Sequence, residues 1–389
     1  MSILETAPLE PVVGSPVAGR VPPGRWLPGM WFPVAVFGAW RVAQVAVLWW
    51  HGGRLVEAAY TYDGAHYLRI LHHGYWDPRP VMPSHAFFPG IAWLATPLRW
   101  VTGTDSLSVH TVATLTALAA FVAVWGVTRE WTDERTARLA VVLMALFPSS
   151  LFLWAFYSEA LFIALGAGAV WADRRGRRVI AALCLAGIAT TRSVGILVPL
   201  VVVLARIIRQ RRVDRWAMTY AAAGLAGLGT VLLAMQIQVG DAFAFVGVQN
   251  DWGREMAWPW QSVLQGLDNL TPDRRTVMVP ALVARNFDLW TVGIILVGMG
   301  ILVLSRRPRF PMEAWMLGVA MIGLPLASSV LASFNRFALA DWVIYPAYAS
   351  LLGRLPTWWR RGALFVLGIV CVVTAYALIG RFAVGRFIG

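Results

Sequence analysis

The chain has 389 residues, 58% of them hydrophobic and only 14% charged, with a formal net charge of +13 at neutral pH. Soluble domains run near one quarter charged and show amphipathic periods. Here the apolar residues fall in blocks of about 20, the length that carries a helix across a bilayer, which excludes a single soluble core.

All 33 basic residues are arginines. They sit between the apolar blocks rather than on one soluble face, which argues against nucleic-acid binding and for a record of membrane topology. Cys184 and Cys371 both lie inside apolar segments and imply no disulfide framework.

In chain order, residues 1–29 are Pro-rich and lack the apolar core of a signal peptide. They are expected to be a disordered cytosolic tail ahead of a transmembrane domain over 30–389. Short arginine-rich loops stay in the cytosol, which places 128–138, 173–178, 206–215, 305–310 and 353–361 on one side. Residues 30–50 then form a first helix running outward, and 51–104 lie outside. Within that stretch "FFPGIAWLATPLRW" is too short to span and reads as a helix along the interface. Residues 107–127 return to the cytosol.

The segment 137–173 fits two short spans turning at "FPSSLFLWAFYSE" (147–159). For 179–205, a pair of short helices breaking at "TTRSVG" (190–195) keeps both flanking arginine clusters inside. Residues 216–237 run outward to a long loop, 238–286, and helices near 287–304, 312–332, 343–352 and 362–380 follow. The expected fold is therefore all-α and polytopic, with about 11 crossings and a large first outer loop containing interfacial helices. No internal repeat is visible.

On this topology Asp63, Glu159, Arg192, Arg254 and Arg336 converge on the outer face. Ionisable groups at such depth are costly unless paired or wet, so a shared outer cavity is the economical expectation. Asp63, in "YDGAHY", fits a helix cap or a general base taking a proton from a hydroxyl. Ser158 and Glu159 follow a Pro-marked turn and suit either a cap or a site. Arg192, in the middle of an apolar hairpin, either snorkels or binds a phosphate with its two-pronged guanidinium. Arg254 and Arg336 are further candidates.

His66 and His73 are seven residues apart, on one helical face. No zinc spacing accompanies them, so no metal is expected. His85, just before "AFFP", is the histidine expected to hydrogen-bond a phosphate. Trp252, Trp258 and Trp260 suit interfacial anchors, a sugar-stacking surface or a lipid groove.

Together "YDGAHYLRILHHGYW" with "HAFFPG", "FPSSLFLWAFYSEALF", "ATTRSVG", "QNDWGREMAWPWQS" and "NRFALADWVIYPAY" resemble, in order over roughly residues 40–350, the PIG-V-like mannosyltransferases. These are relatives of the second mannosyltransferase of GPI-anchor synthesis. Tyr62 stands where eukaryotic members tend to have Trp, and Val194 where they often have Asn.

The resemblance implies a GT-C fold, a cell-membrane location with the active site on the extracytoplasmic side, and a polyprenyl-phosphate sugar donor. It implies mannose transfer with inversion to a lipid-linked or glycan hydroxyl, with Asp63 as base and no cofactor. Arg192, Arg254 and His85 would hold the donor phosphate. Tyr62, His66, Ser158, Glu159, Gln249, Trp252 and Arg336 would line the substrate site. A donor carrying arabinose or glucose, or a membrane transporter, are the alternatives. A transporter should often show repeated halves with broken helices in matching positions.

Overall fold

A computed structural model describes residues 27–53, 57, 60–76, 83–251, 255–268, 287–329, 331 and 333–383. The expected cytosolic tail falls almost wholly outside them. The described residues fold as helices: α1 (Leu27–Trp50), α2 (Asp63–His73), α3 (Gly90–Thr102), α4 (Asp105–Trp131), α5 (Glu134–Leu146), α6 (Glu159–Arg174), α7 (Arg178–Ile188), α8 (Leu197–Gln210), α9 (Arg215–Val239) and α10 (Ala244–Asp251). There follow α11 (Pro259–Asp268), α12 (Phe287–Leu304), α13 (Met312–Leu326), α14 (Phe334–Ala340), α15 (Ile344–Arg354) and α16 (Thr357–Ala383).

Among the described residues six helical stretches are long and apolar enough to cross a bilayer: Gly29–Trp50, Asp105–Trp131, Ser193–Gln210, Arg215–Val239, Phe287–Leu304 and Thr357–Ala383. The protein is therefore a polytopic membrane protein. The remaining segments are shorter because they are broken at prolines and turns. The chain between α5 and α6 winds as a 3₁₀ helix over Pro148–Leu153, and α13 carries Pro325 one residue before its end. Length alone thus does not yield the expected 11 crossings. The pair of helices expected over 179–205 is present as α7 and α8, separated by a 3₁₀ turn at Ser193–Ile196.

The segment expected to lie along the interface forms α3, which packs Ile91, Ala92 and Ala95 onto the bundle and leaves Trp93, Leu94, Trp100 and Val101 exposed. In α2 the apolar residues Tyr67, Ile70 and Leu71 share one buried face. They form a second core with Phe87, Phe88 and Ile91 around Phe156 and Leu161 of the bundle. Gly90 makes this docking close: its N–H donates to the Thr190 carbonyl at 2.9 Å, and a Cβ there would sit 2.5 Å from Thr190 Oγ1. The loop after α2 is thereby pinned against the α7–α8 turn.

At one end of the bundle the five arginine-rich loops are tied in series. Arg175 pairs with Glu130, and Arg206 with Asp173 at 2.9 Å. Arg209 reaches both Asp173 (2.8 Å) and Glu313 (3.4 Å). Arg354 donates to Ser305 Oγ and the Arg307 carbonyl. Loops grouped on one side by their arginines alone are joined there by those same arginines.

Candidate functional site

The opposite end holds a cavity of about 710 Å³, within the range of pockets that enclose small ligands. Tyr62, Asp63, His66, Arg192, Gln249 and Arg336 line it. The charged groups arrive at breaks in the helical pattern. Asp63 is the first residue of α2, Arg192 caps the 3₁₀ turn between α7 and α8, and Arg336 lies in the short α14.

Two of the three described non-glycine residues with positive φ flank these groups: Tyr62 (φ 53°) before Asp63, and Ser333 (φ 63°) before α14. Such backbone is costly unless the surroundings hold it, and it gathers at functional sites. Asp63 does not act as the cap of α2, because Tyr62 occupies that position without a side-chain cap bond.

The carboxylate of Asp63 instead accepts from Nη1 of Arg336. The same guanidinium donates through Nε to Oε1 of Glu159 at 2.6 Å, and its Nη2 lies 2.6 Å from that oxygen. Nη1 of Arg192 lies 3.2 Å from the same Oε1. Glu159 is 0% exposed, whereas the Asp63 side chain is 20% exposed. Two carboxylates and two guanidiniums therefore form a quartet of zero net charge, with Asp63 at its open edge.

Aromatic faces hold the cations. Arg336 lies over Tyr157 at 4.6 Å and Arg192 over Phe337 at 4.6 Å, an arrangement that attracts a cation to the ring. The Tyr157 hydroxyl donates to the Thr61 carbonyl at 2.9 Å, joining the start of α6 to the approach of α2. One side of the wall is mostly apolar, with Phe245, Val246, Met256, Leu324, Pro325 and Leu331. Short backbone hydrogen bonds pair 255–257 with 327–329, among them Ala257 N to the Ala327 carbonyl at 2.8 Å, and bring Glu255 to the cavity edge.

His66 packs flat on Phe87 at 4.4 Å, and its Nδ1 lies 3.1 Å from Ser84 Oγ. Burial lowers its pKa from the ordinary histidine value, against the pull of Asp63, so the ring is neutral at pH 7. Burial, reinforced by the Glu159 charge, pushes the Tyr67 phenol up, so it remains protonated.

Not every expected residue reaches the cavity. Ser158 and Glu159 stand behind its wall, fully buried. Ser158 takes the cap position of α6 without a side-chain cap bond. His85 is absent from the lining and packs edge-on against Tyr75 at 5.9 Å. His72 is committed elsewhere, with Nε2 2.9 Å from Asp105 and Nδ1 3.1 Å from Arg99. Arg254 and Trp252 lie outside the described residues. Among the described residues no cluster of three or more His, Cys, Asp or Glu side chains suits a metal ion.

Sequence reasoning missed Tyr157, Phe337 and Glu255. Each adjoins, or stands one residue from, an ionisable residue it singled out, and that adjacency was the available signal.

The same architecture occurs in solved structures. The apo oligosaccharyltransferase from Archaeoglobus fulgidus matches with a TM-score of 0.53 and 14% identity, over 94% of this chain and 57% of that one. The archaeal enzyme AglB from the same organism, in complex with an inhibitory peptide and a dolichol-phosphate, gives the same figures. ArnT from Cupriavidus metallidurans bound to undecaprenyl phosphate matches with a TM-score of 0.53 and 15% identity, over 89% of this chain and 78% of that one. The chain thus spans little more than half the length of the archaeal proteins, and at these identities the likeness is one of fold: GT-C. The family model for mannosyltransferase (PIG-V) matches residues 42–263, more than half of the chain and most of the cavity-lining residues. The chain belongs to the PIG-V mannosyltransferase family.

Proposed function

We propose that this protein is a membrane glycosyltransferase that moves mannose from polyprenyl-phosphate-mannose to a hydroxyl of a lipid-linked or extracytoplasmic acceptor. The observation that carries the proposal is a carboxylate and two guanidiniums lining a cavity whose other side is mostly apolar. That combination suits an amphipathic anion, a sugar phosphate on a long hydrocarbon, with a base at hand. Dolichol-phosphate and undecaprenyl phosphate, bound by two proteins of the same fold, belong to this ligand class.

In this reading Asp63 takes the proton of the acceptor hydroxyl. The acceptor oxygen bonds to the anomeric carbon as the bond from that carbon to the phosphate oxygen breaks, inverting the centre. The electron pair leaves with the phosphate, which Arg192 stabilises. A fixed cation aimed at developing charge is worth roughly 3 kcal/mol. His66, neutral and on the cavity wall, keeps the substrate-facing role expected of it, whereas His85, expected at the donor phosphate, lies off the cavity lining. The arginine-rich loops support a cytosolic far end of the bundle and, with it, an extracytoplasmic cavity.

Purified protein given radiolabelled polyprenyl-phosphate-mannose and a membrane lipid extract should move label to a new product, and Asp63→Asn should not. Donors carrying arabinose or glucose run in parallel should be poorer. Label that stays on every donor, or transfer by Asp63→Asn at the wild-type rate, overturns the proposal.

A further inference from the structure

Arg336 bridges two carboxylates of unequal standing. Glu159 is sealed from the cavity and gives Arg336 a permanent partner. Asp63, the partner at the cavity edge, holds only Nη1. Both Nε and Nη2 of Arg336 crowd onto Oε1 of Glu159, while Oε2 has no hydrogen-bond partner among the described residues. The guanidinium therefore has a spare acceptor on its buried side and can give up Asp63 without losing its anchor.

The charged and titratable groups around Asp63 are few. Arg336 comes from α14, Glu159 from α6, Arg192 from the α7–α8 turn, Tyr157 from the approach to α6, and His66 and Tyr67 from α2 itself. Two acids balance two bases, so an arriving phosphate adds an uncompensated negative charge. In a poorly solvated cavity such an imbalance is expensive. It is relieved when one carboxylate becomes neutral, and only Asp63 faces the cavity.

We propose that Asp63 and the lipid phosphate compete for Arg336, so that the proton on Asp63 controls how tightly the phosphate is held. The inference rests on the lipid-phosphate reading of the cavity. It gives the reaction a reset step. After transfer Asp63 carries the acceptor's proton and is neutral, and the departing phosphate holds both arginines. When Asp63 loses that proton to water, its carboxylate reclaims Arg336 and the lipid phosphate is released.

The test is equilibrium binding of undecaprenyl phosphate to the purified full chain, followed by tryptophan fluorescence. Asp63→Asn, a stand-in for the protonated base, is inactive yet should bind about tenfold tighter than wild type, the size of effect seen between coupled sites. Asp63→Ser, which removes the charge with a different shape, should also tighten binding. Glu255→Gln removes a cavity carboxylate that no contact links to Arg336, and should change affinity far less. A merely structural role for Asp63 would not tighten binding. Equal or weaker binding by both Asp63 variants, or an equal gain in Glu255→Gln, overturns the competition while leaving the lipid-phosphate reading intact. If wild type binds no better than Arg192→Ala, that reading fails and the inference falls with it.

Discussion

Helix α6 begins in one ionic cluster and ends in another, roughly 22 Å apart at 1.5 Å per residue, and the two are built on opposite principles. At its C-terminal end the acids are saturated. Asp173 accepts from Arg206, Arg209 and Tyr220. Glu313 accepts from Arg174 at 2.5 Å and from Arg209. Arg206 holds the Asp214 carboxyl well below the usual carboxylate range.

At its N-terminal end the Glu159 Oε2 has no hydrogen-bond partner among the described residues. The same holds for Arg192 Nη1 despite its ion pair, and a cavity opens beside them. Buried polar groups are normally satisfied, so a native exception asks for an explanation. The saturated cluster ties helices together, and the unsaturated one is left with spare bonding capacity beside the cavity.

This contrast can be broken by substitution. The largest effect is expected at the open cluster: Asp63→Asn should lower transfer about 100- to 10,000-fold with an unchanged melting temperature. Arg206→Leu tests the other end. Removing one partner of a buried network leaves its acids uncompensated, so unfolding should become easier by about 3–5 kcal/mol, while transfer per folded molecule stays at the wild-type level. Chemical denaturation in detergent alongside the transfer assay separates these two signatures. An activity loss in Arg206→Leu larger than its loss of folded protein would erase the distinction.

Arg192→Ala should cost roughly 3 kcal/mol of transition-state stabilisation, seen as poorer donor use with little change toward the acceptor. Gly90→Ala should then cost about 1–3 kcal/mol of stability, because the new Cβ meets Thr190 and pushes the loop after α2 away from the α7–α8 turn.

The smallest effect concerns pH. His66 is held neutral in the fold, so below about pH 6.5 the unfolded chain binds more protons than the folded one and stability falls with acidification. His66→Gln should flatten part of that slope between pH 5 and 7, read as melting temperature against pH.

The break at Arg192 was legible in the sequence because arginine clusters flank it on both sides, and a single crossing would have stranded one of them. The grouping of the five basic loops was legible for the same reason, since charge placement follows the membrane. The link from Arg336 to Asp63 joins residues 273 positions apart, and no periodicity reports such a distance. Side-chain direction at short turns was also hidden. His85 and Phe87 are two residues apart in "HAFFP", yet the first packs on Tyr75 while the second lines the cavity. The docking of α2 onto the bundle was not read from the sequence, although Tyr67, Ile70 and Leu71 already marked one apolar stripe.

The most direct test is a structure of the Asp63→Asn protein with polyprenyl-phosphate-mannose bound. The phosphate should sit within hydrogen-bonding distance of Arg192 and Arg336, the mannose between it and residue 63, and the hydrocarbon along Leu324, Pro325 and Leu331. A donor bound with its phosphate away from both arginines, or at the arginine-rich end of the bundle, would contradict the account.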